Sequence, residues 1–197
     1  MRFAAVAAVL VLFLAWRLYL QRDIEHPAGV IAAEEPLQEV FDGARPIGRG
    51  PFLLRPRAEF SATVRILARK EYSAGDFAAL VPTDFAVGWG PMSDSTNLKG
   101  IEFSQGNRFY YWRTESWPLT REQIQTHSAN WHIIADSEAA RQVLARLRVG
   151  SVVELHGQLV DVEGPEGSRR TSLSRRDTGA GACEILLASS VRIVEHG

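Results

Sequence analysis

The chain has 197 residues, of which 46% are hydrophobic, and its formal net charge is −1. This length favours one domain with additional segments over two full domains, and the composition allows a hydrophobic core. The balanced charge disfavours a nucleic-acid polyanion as the partner. The single cysteine, Cys183, excludes an internal disulfide and any metal site built on several thiolates.

The N-terminal segment is strongly apolar. Residues 3–20 contain one charged residue, Arg17, and a helix of this length spans roughly 27 Å, enough for a bilayer core. Trp16 and Tyr19 suit the membrane interface. We therefore predict a transmembrane anchor over residues 1–21 that contacts the membrane through residues 3–20. A cleaved signal peptide and a buried helix are the alternatives, but no small-residue cleavage site closely follows the apolar stretch.

The charges around the anchor favour opposite orientations. Arg2 favours a cytoplasmic amino terminus, whereas Arg17 and Arg22 favour the reverse. Because short N-terminal anchors commonly leave the body of the protein outside, we expect a single pass through the inner (cytoplasmic) membrane and a periplasmic domain.

Residues 22–57 are rich in proline and glycine. The five prolines in this stretch predict a linker without a long helix or strand, with a short helical piece around residues 36–41 as one option.

From residue 58 to residue 197 the pattern is that of one β-rich domain. Alternation of apolar and polar residues over 58–68 predicts a long, half-buried strand. Further strands are predicted at 101–103, 108–113, 131–135, 153–159, 169–174 and 183–194. Thr120 and Gln123 form a capping-box pattern that predicts a short helix over 121–126. The apolar positions of residues 137–149 repeat at helical spacing and predict one amphipathic helix.

This order of strands, one amphipathic helix and further strands resembles the OB fold, whose helix lies between its third and fourth strands. The segment from Leu147 to Val160 is especially similar to the passage from the OB helix into the fourth strand. The predicted fold class is therefore mainly β with one amphipathic helix, an OB-like small β-barrel preceded by an N-terminal transmembrane helix.

Three segments resemble bacterial membrane-anchored proteins of unassigned function, namely residues 88–94, 127–132 and 172–184. This resemblance implies no activity. An anchor with an OB-like barrel also resembles the periplasmic haem chaperones, which carry a tyrosine four residues after a surface histidine. Here His127 is followed at that spacing by Trp131, so we expect neither haem nor any other cofactor.

The same three segments supply the predicted binding residues. They are Trp89, Met92, Asp94, His127, Asn130, His132, Arg175 and Asp177. Two interpretations of Trp89 remain open, because a tryptophan held between glycines can form a binding surface or can pack against the end of a barrel.

Catalytic interpretations have weaker support. His127 and His132 are five residues apart, which places them on opposite faces of a strand and disfavours a shared metal. Asp177-Thr-Gly has no second copy, which excludes an aspartic-protease pair. A buried, inert thiol is the expectation for Cys183. An envelope hydrolase or metal-dependent enzyme using His127, His132, Asp177 and Glu184 remains the alternative.

Nucleic-acid binding is the other alternative. The aromatic run Phe109–Trp112 could stack single-stranded bases, although alternation predicts that two of its four rings enter the barrel. Arginines 169, 170, 175 and 176 could bind phosphates or could be a solvated hairpin. We therefore predict a membrane-anchored, non-catalytic binding or assembly module of the bacterial envelope, whose partner is a protein, a peptide or another envelope component.

Overall fold

The computed structural model describes residues 22–179 and 181–194. The anchor predicted at residues 3–20 lies outside these residues. Among the residues that are described, no helix is both long enough and apolar enough to cross a bilayer.

The domain is mainly β, with ten strands and a few short helices in the described residues. The strands are β1 (Leu37–Val40), β2 (Ile47–Arg49), β3 (Phe52–Glu71), β4 (Thr83–Gly88), β5 (Ile101–Gly106), β6 (Phe109–Thr114), β7 (Ser128–Ala135), β8 (Val152–Gly164), β9 (Gly167–Arg169) and β10 (Glu184–Ile193). The helices are α1 (Asp76–Leu80), α2 (Ser95–Leu98), α3 (Arg121–Thr126) and α4 (Glu138–Arg146), with a 3₁₀ turn at Gly90–Ser93.

Five strands of the mixed sheet pair in a ring. β3 pairs with β4, β4 with β7, β7 with β10, β10 with β8, and β8 again with β3. The β7–β10 pairing is parallel and the other four are antiparallel. β1 and β2 pair with β3, and β9 pairs with β8, so these three strands extend the sheet outside the ring.

The largest hydrophobic cluster gathers side chains from all five ring strands. Phe60, Phe85, Trp131, Leu155 and Leu186 are each at most 3% exposed. Successive strand residues point to opposite faces, so the alternate side chains fill the inside of the ring. A second cluster lies on the other faces of β7, β8 and β10 and is covered by Phe77 of α1.

Helix α4 connects β7 to β8 and contributes to the main core. The Ser137 side chain caps the helix by accepting a hydrogen bond from Ala140 N at 3.1 Å. Leu144 and Leu147 reach the main cluster. The predicted amphipathic helix is thus present, although it ends at Arg146 because the backbone of Leu147 is extended.

Residues 22–57, predicted as a linker without a long helix or strand, contain two short strands and the beginning of a long one. β1 and β2 lie in this stretch, β3 begins in it, and residues 37–40 form a strand instead of a helical piece. Prolines lack an N–H group and are tolerated at strand starts and bulges. Pro36, Pro46 and Pro51 each immediately precede a strand, and Pro56 lies at a register shift in the β3–β8 pairing.

Two other predictions need correction. The strand predicted at 169–174 stops at Arg169, since side chains take over the hydrogen bonding: Thr171 N donates to Asp161 Oδ1 at 2.9 Å, and Thr171 Oγ1 accepts from Ile185 N at 3.0 Å. The aromatic strand β6 does not enter the ring. It forms a separate two-stranded sheet with β5, and its Tyr110 and Trp112 pack against a small hydrophobic cluster that contains Met92 and Ile124, not inside the ring.

Candidate functional site

A cleft of about 510 Å³ lies at the end of the ring where β4 finishes and where β7 and β10 begin. Its walls come from β6, α3, β7 and the loop of residues 170–179 and 181–183, which we call the 170–183 loop. The lining residues are Trp89, Phe109, Tyr110, Tyr111, Trp112, Arg121, Gln125, Ser128, Ala129, Asn130, Ser174, Arg175, Asp177, Thr178, Gly179, Ala182, Cys183 and Glu184. All three segments that the sequence analysis singled out therefore meet in one cleft.

The β5–β6 hairpin is held against β7 by polar side chains. Asn130 is 1% exposed; its Oδ1 accepts from Gln105 Nε2 at 2.7 Å, and its Nδ2 donates to Arg108 O at 3.1 Å. The Tyr110 hydroxyl lies 3.0 Å from Ser128 Oγ, and burial raises the pKa of Tyr110. These bonds fix the aromatic wall of the cleft relative to its floor.

Hydrogen bonds of Ser172 and Ser174 hold the described residues of the 170–183 loop together. Ser172 Oγ donates to Asp177 Oδ2 at 2.8 Å, and Ser174 N donates to Ser172 Oγ at 3.0 Å. Ser172 N also donates to Cys183 O at 2.9 Å, which joins the two ends of the loop. The loop thereby presents Asp177 and Arg175 to the cleft.

Glu184 is the most deeply buried acid of the cleft, at 1% exposure. It faces the inside of the ring, on the same side of β10 as Leu186 and Ala188. Arg175 Nη1 lies 3.0 Å from Glu184 Oε1, and Arg175 Nη2 donates to Gln38 Oε1 at 3.2 Å. Burial raises the pKa of Glu184 to about 8, against the opposing effect of the Arg175 charge.

Three buried polar atoms of the cleft residues make no hydrogen bond within the described part of the chain. They are Trp89 Nε1, Glu184 Oε2 and Arg175 Nη1, and the last of these takes part in the ion pair with Glu184. A buried polar atom left unpaired costs about 1–3 kcal/mol, and native proteins keep such atoms chiefly where they serve a purpose. All three atoms belong to residues that line the same cleft, which marks it as the candidate site.

Four of the predicted site residues line this cleft, namely Trp89, Asn130, Arg175 and Asp177. Trp89 is 1% exposed and packs in the main core, with its ring centroid 6.4 Å from that of Trp131. Of the two interpretations, the packed tryptophan is the one observed. Its indole edge nevertheless contributes to the cleft wall.

The other four predicted site residues lie outside the cleft lining. Met92 is fully buried in a small cluster with Ile124. The Asp94 carboxylate caps α2. It accepts hydrogen bonds from the backbone N–H groups of Gly29 and Thr96, and these bonds lower the pKa of Asp94.

Both predicted histidines belong to structural contacts. The His127 ring packs beside Trp89, and its Nδ1 lies 2.9 Å from Gln123 O. His132 Nδ1 lies 2.9 Å from Asp84 Oδ1.

The histidines and acids do not come together as a metal site. No group of three or more His, Cys, Asp or Glu side chains among the described residues is placed to hold a metal ion. Asp84 is fully buried, and its Oδ1 contacts both His132 Nδ1 and Arg108 Nη1, the latter at 2.8 Å. The contact between His132 and Asp84 is therefore explained as part of the packing of the domain. Of the four arginines in 169–176, only Arg175 lines the cleft.

Cys183 is half-buried beside Asn130, with 3.8 Å between Sγ and Nδ2. Burial raises the pKa of the Cys183 thiol to about 11. The thiolate is the nucleophilic form, so a thiol that stays protonated at neutral pH is a poor nucleophile.

Sequence reasoning missed Arg121 and Gln125, two cleft residues that come from α3. The capping box predicted for this helix from the sequence is formed in the structure, where Thr120 Oγ1 accepts a hydrogen bond from Gln123 N at 3.1 Å. The direction in which the helix points its polar side chains depends on tertiary packing, and the neighbouring sequence gave no indication of it.

The chain was compared with protein-family models, with curated proteins and with solved structures, and none of the three comparisons found a match.

Proposed function

We propose that this chain is a membrane-anchored, non-catalytic binding or assembly module of the bacterial envelope. In this proposal residues 3–20 form the anchor in the inner membrane and the β-rich domain works on the periplasmic side. The apolar N-terminal sequence supports the anchor. The cleft at the end of the strand ring is the proposed binding site for a protein, a peptide or an envelope polymer.

The strand order supports an OB-like barrel. The five ring strands follow one another in the chain as β3, β4, β7, β8 and β10, and α4 lies between the third and the fourth of them. The first strand pairs with both the second and the fourth, and the last pairs with the third and the fourth. A partly open, five-stranded barrel of this kind suits ligand binding beside its second and third strands and its connecting loops.

The single observation that carries the proposal is the cleft itself. It combines aromatic rings from β6 with a few polar side chains from β7 and the 170–183 loop. Ligand sites generally have this composition, in which apolar walls supply contact area and a few polar groups supply orientation. Tyr111 remains 54% exposed at this surface and is available for contact.

The cleft supports binding better than it supports the two alternatives. A hydrolase that uses both histidines together with Asp177 and Glu184 has less support, because neither His127 nor His132 lines the cleft. A single-stranded nucleic acid would find aromatic rings, but it would also meet Asp177, and an acidic group opposes a phosphate backbone.

The proposal is tested with the full-length protein in detergent, incubated with insoluble cell-wall polymer and, separately, with immobilised envelope proteins. We expect retention on one of these materials, weakened at least about tenfold by Tyr111→Ala. Leu37→Ala is the matched control, because Leu37 is 70% exposed and lies on β1, outside the cleft. If wild type and Tyr111→Ala are retained equally, or neither material retains the protein, the cleft is not a binding site of this kind.

A further inference from the structure

A second cavity, of about 620 Å³, lies at the opposite ends of β4 and β7 from the cleft. It is bounded by the start of β4, the ends of β3 and β7, and the helices α1 and α4. Within the described part of the chain, the cavity and the cleft share no lining residue. A ligand held here would therefore occupy a separate site from the one proposed above.

The floor of this cavity is apolar. Phe85 of β4 and Ile133 and Ile134 of β7 are each at most 2% exposed, and Leu144 of α4 is also buried. More than half of the lining residues are apolar. Ligand pockets generally combine such walls with a small number of polar groups that fix the orientation of the ligand.

Three arginines from distant parts of the chain lie on the solvent side of the cavity. They are Arg49 of β2, Arg69 of β3 and Arg141 of α4. Their side chains are 39%, 26% and 64% exposed, whereas the apolar floor is buried. Three guanidinium groups therefore converge at the mouth of one apolar cavity.

The acids that pair with these arginines lie mostly outside the cavity. The ion pairs are Arg49–Asp136, Arg69–Glu71 and Arg141–Glu138. Of the three acids only Glu71 also lines the cavity, so the charged side chains of its described lining carry a formal net charge of +2. Ion pairs between exposed side chains contribute little free energy, and an incoming carboxylate or phosphate can replace one of the acids. The mouth of the cavity therefore favours an anionic group.

The cavity suits a hydrocarbon chain better than a polypeptide. Both strands that form its floor are paired on each side, β4 with β3 and β7, and β7 with β4 and β10. A peptide that adds a strand to a sheet needs an unpaired edge, which these two strands do not provide. A peptide placed on the apolar floor would leave its backbone groups without hydrogen bonds, whereas a hydrocarbon chain has no such groups.

We infer that this cavity binds an anionic single-chain amphiphile, a fatty acid or a lysophospholipid. The hydrocarbon chain packs on the apolar floor, including Phe85 and Ile134, and the anionic head pairs with the three arginines at the mouth. This site goes beyond the proposed function, because that function concerns the cleft.

The inference is tested by photo-crosslinking of the full-length protein in a non-ionic steroidal detergent, which has no acyl chain. The probe is dodecanoic acid with a diazirine at the end of its chain, and mass spectrometry of peptides locates the labelled residues. We expect saturable labelling of residues that line the cavity, including Leu80 and Ile134. Laurate should compete at least about tenfold more tightly than octanoate, because each further buried methylene group favours binding.

Matched competitors test the head group. Methyl laurate keeps the chain without the charge, and dodecyltrimethylammonium reverses the charge. We expect both to compete at least about fivefold more weakly than laurate. A lysophosphatidylglycerol with the same chain separates the two sources of ligand, since tighter competition by it assigns the site to phospholipids and tighter competition by laurate assigns it to free fatty acids.

Two variants locate the contact. Arg141→Gln removes one cation from the mouth, and we expect laurate to compete about fivefold more weakly while methyl laurate is unaffected. Arg113→Gln is its matched control, because Arg113 forms an exposed ion pair with Glu102 on the β5–β6 hairpin, outside the cavity lining. Ala145→Trp fills the cavity from an exposed position on α4 and should abolish labelling, whereas Ala139→Trp, exposed on the same helix outside the lining, should not.

Three results would overturn the inference: labels confined to residues outside the cavity, equal competition by laurate, methyl laurate and dodecyltrimethylammonium, or unchanged labelling of Ala145→Trp. None of these measurements involves the cleft. Retention on envelope material and its weakening in Tyr111→Ala test the cleft separately, so the proposed function can stand when this inference fails, and the reverse also holds.

Discussion

At Glu184, burial and an ion pair act on the same carboxyl in opposite directions. Burial at the first position of β10 favours the uncharged acid, while the nearby guanidinium of Arg175 favours the carboxylate. Burial has the larger effect, and the pKa rises from the ordinary value of 4.5 to about 8. A strongly perturbed carboxyl in a cleft is a common property of binding and catalytic sites.

The raised pKa of Glu184 predicts a characteristic pH dependence of stability. Between pH 4.5 and pH 8 the unfolded chain ionises this group while the folded protein keeps it protonated. The folded state then binds more protons, so its stability is greatest below pH 4.5, falls as the pH rises to about 8, and levels off above it. We expect Glu184→Gln to remove a decline of about 5 kcal/mol over this interval.

This prediction is measured as the free energy of unfolding in urea at several pH values between 4 and 9. The difference between wild type and Glu184→Gln isolates the one group, because all other titrating residues are shared. Parallel pH profiles for the two proteins would show that Glu184 ionises normally in the folded state.

The predicted site residues show how much of the site can be inferred from residue type and spacing in the sequence. The sequence directed attention to Asn130, Arg175 and Asp177, and these three do share one cleft. The same reasoning grouped them with His132 and Met92, which are buried in other contacts. Residue type and spacing identify side chains capable of chemistry, but the partner of each side chain comes from a distant part of the chain.

Among the elements, β8 and β10 leave no room for a side chain at Gly157. A Cβ atom at this position would lie 2.0 Å from Leu187 O, a backbone atom that cannot move without disturbing the β8–β10 pairing. Glycine in a strand interior often marks such a close backbone approach. Gly157 therefore allows the fourth and fifth ring strands to pair beside their register shift.

Gly157→Ala should destabilise the domain by about 3 kcal/mol, because the added methyl group forces the two strands apart. Gly106→Ala is the matched control, since it also lies in a strand but a Cβ atom there meets nothing within 4 Å. We expect its effect to stay below about 1 kcal/mol. Urea denaturation of both variants checks this, and equal effects would mean that β8 and β10 can separate at little cost.

Predictions of the elements succeeded where the hydrophobic pattern is strong. The strand predicted over 58–68 is confirmed as part of β3, the short helix over 121–126 is confirmed as α3, and the strands around Gly106 form the β5–β6 hairpin. The strands at 37–40 and 47–49 were missed, because they are short and lie between prolines. Their backbone groups pair with β3, and this partner cannot be identified from the sequence of the short strands and their immediate neighbours.

On the scale of the whole molecule, the segment that follows the proposed anchor is fastened to the domain. Ile24 N donates to Val149 O at 2.9 Å, and Gly90 N donates to Ala32 O at 2.7 Å. Asp94 Oδ1 accepts from Gly29 N at 3.0 Å, and Ala32 is 2% exposed. If residues 3–20 lie in the membrane, these contacts hold the domain close to the bilayer surface.

Asp94→Ala should loosen this segment, because it removes the acceptor for Gly29 N and the cap of α2. We expect cleavage by a protease that cuts after Arg22 or Glu25 to become several-fold faster, while the rest of the domain stays resistant. Glu35→Ala provides the control, since Glu35 is exposed in the same part of the chain. Equal cleavage of the two variants would show that the Asp94 contact does not hold the segment.

The sequence by itself determined the β-rich class of the domain, the positions of its strongest strands and its amphipathic helix, since these depend on hydrophobic periodicity along the chain. It also predicted the anchor at residues 3–20, which lie outside the residues that the structure describes. The tertiary structure decided which strands close the ring, where β6 lies and which polar side chains meet at the cleft. Those features depend on contacts between residues far apart in the chain, such as the ion pair of Arg175 with Glu184 and the pairing of β3 with β8, and such contacts leave no periodic signal.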